Sequence, residues 1–200
     1  QSRKISRSRL RDGCGSLVSI RNGLVKQEFG MSAVISACGK YRYRLDRYGA
    51  HGGRSLMFIM VNPSTADAET DDPTIRKCKG FAARNGFDHV MVGNLFAFRA
   101  TDVKDLRTAA DPVGTENDAH LHVMLMEADT VIAAWGALNK LPEILRRRWR
   151  EVVHLVDRVP HQLNMIGICA DGHPKHPLMV GYNAKIEPWP APWFAGRKAT

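Results

Sequence analysis

Seven residues, Ser55 to Val61, are apolar almost without interruption and stop on Asn62-Pro63-Ser64. A run so short and so apolar predicts a strand buried on both faces, as inside a parallel sheet. Pro63 ends it, having no N–H to donate. Upstream, Ala33–Ala37 and Tyr41–Tyr48 flank Cys38-Gly39-Lys40, the pattern of a β-hairpin. In its second arm Tyr41, Tyr43 and Leu45 alternate with Arg42, Arg44 and Asp46, which predicts a half-buried edge strand with a charged outer face. Asp72-Pro73 opens a helix that presents Ile75, Cys78, Phe81 and Ala82 on one side and closes at Gly86. His89–Leu95 is a second strand, delivering Asn94 at its end, and Asp102–Arg107 a short helical turn. Thr115–Asp118 has the shape of a capping box and opens a helix to about Ala128, with Leu121, Met124, Leu125 and Ala128 inward. Thr130–Trp135 is a third strand, ending at Gly136. Leu141–Val153 reads as a helix with Arg146, Arg147, Arg148 and Arg150 outward. The last apolar run, Leu163–Ile168, gives way to a loop carrying His173-Pro174 and His176-Pro177. A proline-rich tail follows, pinned by Trp189 and Trp193.

This alternation predicts an α/β fold: a three-layer αβα arrangement with a mostly parallel central sheet, plus the N-terminal hairpin. Strands that point the same way gather their ends on one rim, where ligands bind in open α/β sheets. Asn62, Asn94, Trp135 and the His173/His176 loop would meet there. Asn62-Pro63-Ser64 on its own is equally good turn chemistry, and Trp135-Gly136 equally good core packing and strand capping.

Two hundred residues at 44% hydrophobic and 24% charged suit one core, here residues 31–200. The net charge of +9 is uneven: residues 1–30 carry +5 of it and predict a flexible basic extension, with Met31 a possible natural start. The mildly basic remainder allows a polyanionic partner without demanding one. No apolar run approaches the roughly 18 residues of a membrane span, and no signal-peptide pattern is present, so the expectation is a cytoplasmic monomer with no membrane contact. Cys14, Cys38, Cys78 and Cys169 stand too far apart for a C-x-x-C site and read as reduced thiols.

The predicted rim holds two carboxamides, two histidines, the Ser64 hydroxyl, aromatics, and nearby Arg99 and Lys175. No nucleophile elbow, phosphate-binding loop or dinucleotide glycine spacing accompanies them. A carboxamide both donates and accepts, and can pair with a base edge. An aromatic ring gives the base a stacking surface. A histidine can donate to an oxygen that gains charge as a bond breaks. These suit hydrolysis of an N-glycosidic bond in DNA or a nucleotide, with no metal and no cofactor. Two other readings stand beside it. One is a non-catalytic reader of modified bases. The other is a magnesium-dependent phosphoryl-transfer or nuclease domain built on Asp67, Glu69, Asp71 and Asp72.

The motifs NPSTAD, DDPT, NLFAFRAT, DPVGTEND, WG and GHPKHPL, in that order between Ser36 and Val180, identify this chain as a member of domain-of-unknown-function family 1643. More distantly, the order of strand-end motifs resembles uracil-DNA-glycosylase-like proteins. That resemblance implies catalytic roles for Asn62, which would position water, and for His173 or His176, which would steady the base oxygen. It implies base flipping and substrate contacts from Pro63, Ser64, Asn94, Phe96, Trp135 and Gly136. Arg99 and Lys175 would lie near the nucleic-acid backbone. Met60-Val61 departs from the glycine of the first motif, and the stacking ring is left open among Phe81, Phe96 and Phe98. The two His-Pro pairs leave the choice of histidine open.

Overall fold

A computed structural model describes residues 30–49, 52–64 and 66–190 of the chain. The basic extension falls almost wholly outside the described residues, as do Cys14 and Trp193. Seven strands form one mixed sheet: β1 (Met31–Ile35), β2 (Arg42–Tyr48), β3 (Ser55–Met60), β4 (His89–Asn94), β5 (Thr130–Ala133), β6 (Leu163–Met165) and β7 (Glu187–Pro188), in the order β1-β2-β4-β3-β5-β6-β7. The four central strands, β4-β3-β5-β6, are mutually parallel, and the strands added at both edges are antiparallel. Every residue of β3 is buried, as its apolar run requires.

Three helices cover the sheet: α1 (Pro73–Arg84), α2 (Asn117–Glu127) and α3 (Arg148–Val156). Alternation along the strands sorts the core. Leu56, Phe58, Val90, Val92 and Ile132 pack with Ile75, Cys78 and Phe81 of α1. Met57, Ile59, Met91 and Val131 pack instead with Leu121 and Met124 of α2 and Val152 of α3. Among the described residues no helix is long and apolar enough to cross a membrane.

Helix α1 follows its local code closely. The Asp72 carboxylate accepts from the Ile75 N–H at 2.8 Å, Pro73 occupies the first turn, and Gly86 takes φ of +75° just past the end. Helix α2 does not. Its N-cap, Glu116, makes no side-chain capping bond, and Asn117 turns inward to full burial instead. The predicted helix from Leu141 is broken as well, into a short 3₁₀ turn at Glu143–Leu145 and then α3. Arg148 is not on an outer face. It is 6% exposed, its Nε–H donates to the Leu95 carbonyl at 3.0 Å, and it pairs with Asp118 and with Glu151. Both inward turns have one cause. The chain after β4 leaves the Asn94 and Leu95 carbonyls without ladder partners, and Asn117 Nδ2 and Arg148 supply the donors.

The hairpin differs from its expected form too. β1, not β2, is the edge strand, so β2 lies between two hydrogen-bonded neighbours, while α2 and the acidic loop lie against its two faces. Arg42, Asp46 and Arg47 are consequently buried. The register against β1 jumps from Val34↔Arg44 to Ile35↔Arg42, which leaves Tyr43 as an extra, bulged residue. Tyr43 stacks on His120 of α2, and its neighbour Arg44 pairs with Glu127 of α2. Arg42, Leu45 and Arg47 therefore share the opposite face. There Arg47 holds the acidic loop: its Nε–H donates to Asp71 at 2.6 Å, and its Nη2 donates to the Asp67 carbonyl at 2.6 Å.

Candidate functional site

β3 leads through α1 to β4 on one side, while β5 leads through α3 to β6 on the other. The carboxyl ends of β3 and β5 thus flank the point where the connections part, which is where a crevice opens in sheets of this kind. Val61-Asn62-Pro63-Ser64 leaves one side of it and Ala134-Trp135-Gly136 the other.

Asn94, at the adjoining end of β4, is 1% exposed, yet neither its Nδ2 nor its Oδ1 has a hydrogen-bond partner. Alternation places its side chain on the α1 face with Val90 and Val92. Its backbone carbonyl is clamped by Asn117, so the amide is held while its polar atoms stay unused. Leaving a buried polar atom unpaired costs about 1–3 kcal/mol, a cost that stands out in a well-packed core. Arg42 shares this property. It is 2% exposed and its Nη1 donates to the Ala66 carbonyl, but its Nε–H is unpaired. Burial pushes its guanidinium down to about 10, with Arg99 and Arg47 adding to the effect and Asp72 and Asp67 opposing it.

Asn62 is more committed. Both N–H groups of its amide go to main-chain carbonyls, Ala100 at 2.7 Å and Pro63 at 3.1 Å. Its Oδ1 is the end that remains to hold a water. The Ala100 N–H returns to the Pro63 carbonyl at 3.0 Å, so the loops after β3 and β4 are stitched together.

The two histidines part company. The Gly136 N–H donates to the Pro174 carbonyl at 2.9 Å, which ties the His-Pro loop to the end of β5. Gly136 has φ of +77°, a backbone conformation that favours glycine. From this anchor His173 turns toward α3. The Trp135 Nε1–H donates to its Nδ1 at 3.3 Å, and the Trp149 ring meets it edge-on at 5.0 Å. His176 turns instead toward α1 and sits beside Gly136. The Leu178 N–H donates to its Nδ1 at 3.3 Å, so the neutral ring carries its proton on Nε2. Burial lowers the pKa of His176 although the nearby Asp72 carboxylate pulls the other way, and the ring is neutral at pH 7. His173 is likewise lowered by burial, with Asp171 opposing.

The aromatics sort by exposure. Trp135, Phe81 and Phe96 are core residues. Phe98 lines a cleft of about 380 Å³ together with Gly39, Lys40, Ser64, Arg99, Ala100 and Thr101. Lys175 stands on the opposite flank, its stem against Gly167. A second cavity of similar volume, between Val153 and Leu163, lies by the amino end of β6 and away from this rim.

A family model matches the chain over residues 42–178. The chain belongs to that family. It is described as a protein of unknown function (DUF1643), and no curated protein and no solved structure matches the chain. The DUF1643 segment begins at Arg42, one of the two buried cations of β2, and ends at Leu178, whose N–H orients His176. It omits β1 and β7, the two outermost strands. Within the DUF1643 segment three of the four carboxylates of the acidic loop, all but that of Glu69, are engaged. Asp72 caps α1, Asp71 pairs with Arg47 and Lys79, and Asp67 accepts from the Glu69 and Thr70 N–H groups. Among the described residues no group of three or more His, Cys, Asp or Glu side chains could hold a metal ion.

Arg42 and Asn117 are the residues that sequence reasoning missed. Arg42 looked like one more exposed charge on an alternating strand, and Asn117 like part of a helix cap. Neither carries a local signal of burial.

Proposed function

We propose that this protein hydrolyses an N-glycosidic bond, acting on a base in DNA or a nucleotide, through a three-layer, uracil-DNA-glycosylase-like site. The observation that carries this reading is the buried, unpartnered amide of Asn94 at the carboxyl rim. Asn62 Oδ1 and the Nε2–H of His176 belong to the same rim. The amide pairs with the edge of a flipped base. As the bond from the sugar C1′ to the base nitrogen breaks, the electron pair leaves with the base and its carbonyl oxygen gains charge. His176 donates to that oxygen, a role that a neutral imidazole held by a backbone N–H performs without reorganising. Water on Asn62 Oδ1 adds to C1′, and its proton ends on the departed base. The sugar passes through a cation-like state, so water needs placing more than it needs a strong base.

A non-catalytic reader is the second reading. It is favoured by the full commitment of the Asn62 donors and by the capping duty of Asp72, which keeps that carboxylate from acting as a base. One assay tests both. Oligonucleotides carrying uracil or modified pyrimidines are incubated with the protein in EDTA and scored for abasic sites. Hydrolysis that falls at least 100-fold in His176→Ala and Asn94→Asp supports the enzyme, since a donor to developing charge is worth about that factor. Tight binding of one base without strand lability supports the reader. Activity that survives both substitutions removes this rim from the chemistry.

A further inference from the structure

The cleft beside the rim has a composition that the base-binding reading does not use. Two cations, Lys40 and Arg99, line it with the Ser64 and Thr101 hydroxyls and the half-buried Phe98 ring. The hairpin turn builds one wall: the Arg99 N–H donates to the Lys40 carbonyl at 2.9 Å, and Arg99 Nη1 donates to the Gly39 carbonyl at 3.3 Å. The loops after β3 and β4 build the other. Neither cation has a salt-bridge partner among the described residues within 4.0 Å. Asp67, the acid that faces Arg99 at longer range, already accepts two main-chain N–H groups. Behind the cleft lies Arg42, near enough to interact with Arg99 and carrying an unpaired N–H. The cations Arg42, Arg47 and Arg99 act against Asp67 and Asp72, and with Lys40 beside them positive charge is in excess, which favours an anion that joins them. The Phe98 ring is braced from the side by Tyr41, with ring centres 5.8 Å apart.

We infer that this cleft binds a nucleoside phosphate, with the phosphate on Lys40, Arg99 and Ser64 and a base against Phe98. A positively charged cleft beside a ring on which a base can stack is the combination that single-stranded binders use. The inference deepens the base-hydrolysis reading by giving the substrate a handle outside the rim, but its test needs no turnover.

The test is binding of an uncleavable fluorescent single-stranded oligonucleotide, and separately of thymidine 5′-monophosphate, to the full chain across a salt series. The basic first 30 residues are common to every variant, so differences between variants report the cleft. Lys40→Ala and Arg99→Ala are each expected to weaken oligonucleotide binding about fourfold at 0.15 M salt and to reduce the salt slope by about 0.7, the value of one phosphate contact. Arg99→Lys should restore the slope. Monophosphate binding as tight as that of the oligonucleotide identifies a free nucleotide as the source of the phosphate. Tighter oligonucleotide binding with a steep slope identifies a strand. Unchanged affinity and slope in the Lys40→Ala/Arg99→Ala double variant, with its melting temperature unmoved, would overturn the inference. Such a result leaves the His176 and Asn94 assay to stand or fall alone.

Discussion

Replacing Asn94 by leucine should make the protein more stable while removing its proposed function. The amide is 1% exposed and both its polar atoms lack partners. Each unpaired buried polar atom costs about 1–3 kcal/mol, and an apolar group of similar branching removes that cost and adds burial. Leucine is the larger residue, and overpacking offsets part of the gain at about 1 kcal/mol or more. The net expectation is about 1–3 kcal/mol of stabilisation. For a domain of this size that is a rise in Tm of about 2–4 °C per kcal/mol. Urea denaturation followed by tryptophan fluorescence measures it, because Trp135, Trp149 and Trp189 are all buried in the core. The m-value should not change, since the unfolded state exposes nearly the same surface. A loss of 2 kcal/mol or more in both Asn94→Leu and Asn94→Ala would refute the reasoning, showing that the amide is structural. A stabilised variant without base binding would mark Asn94 as a residue kept for function against stability.

Two further outcomes follow from the polar groups of β2 and the histidine loop. Arg47→Met should cost about 2–3 kcal/mol by chemical denaturation, because it leaves Asp71 with Lys79 alone, removes the donor to the Asp67 carbonyl and frees the acidic loop ahead of α1. A loss below 1 kcal/mol would mean that the loop is held elsewhere. His173 and His176 have pKa values lowered by burial, so the unfolded chain binds their protons more tightly than the native one. Their contribution to stability is full above about pH 6.5 and is lost as pH falls through the lowered native values. Denaturation midpoints measured from pH 7.5 to 5 should fall, and the fall should shrink in His173→Phe. A midpoint that rises over that range would show that burial does not govern these rings.

The parts of the fold legible in the sequence are those with a local cause. Asp72-Pro73 and Gly86 mark both ends of α1 because capping and positive φ are decided within a turn of chain. The run from Ser55 to Met60 marks the central strand because only burial on both faces suits it. The illegible parts depend on distant partners. Arg42 reads as a surface charge until β1 covers one side of its strand and Ala66 receives its Nη1. Arg148 and Asn117 turn inward because two carbonyls after β4, more than twenty residues away, need donors. The two histidines are equivalent on paper. Pro174 and Gly136 separate them, sending one toward tryptophans and the other toward a helix start.

The supernumerary Tyr43 sets a rule for length as well as for direction. A strand that kept strict alternation backwards from Leu45 would send Arg42 toward α2, away from Ala66. The doubled step at Tyr43 and Arg44 absorbs that phase error. A relative one residue shorter can therefore lose its residue at this spot and keep both guanidinium groups where they are. A deletion at Leu45 or Asp46 would swing Arg42 to the wrong side relative to Arg47. Alignments of the family should accordingly open their gap inside the bulge.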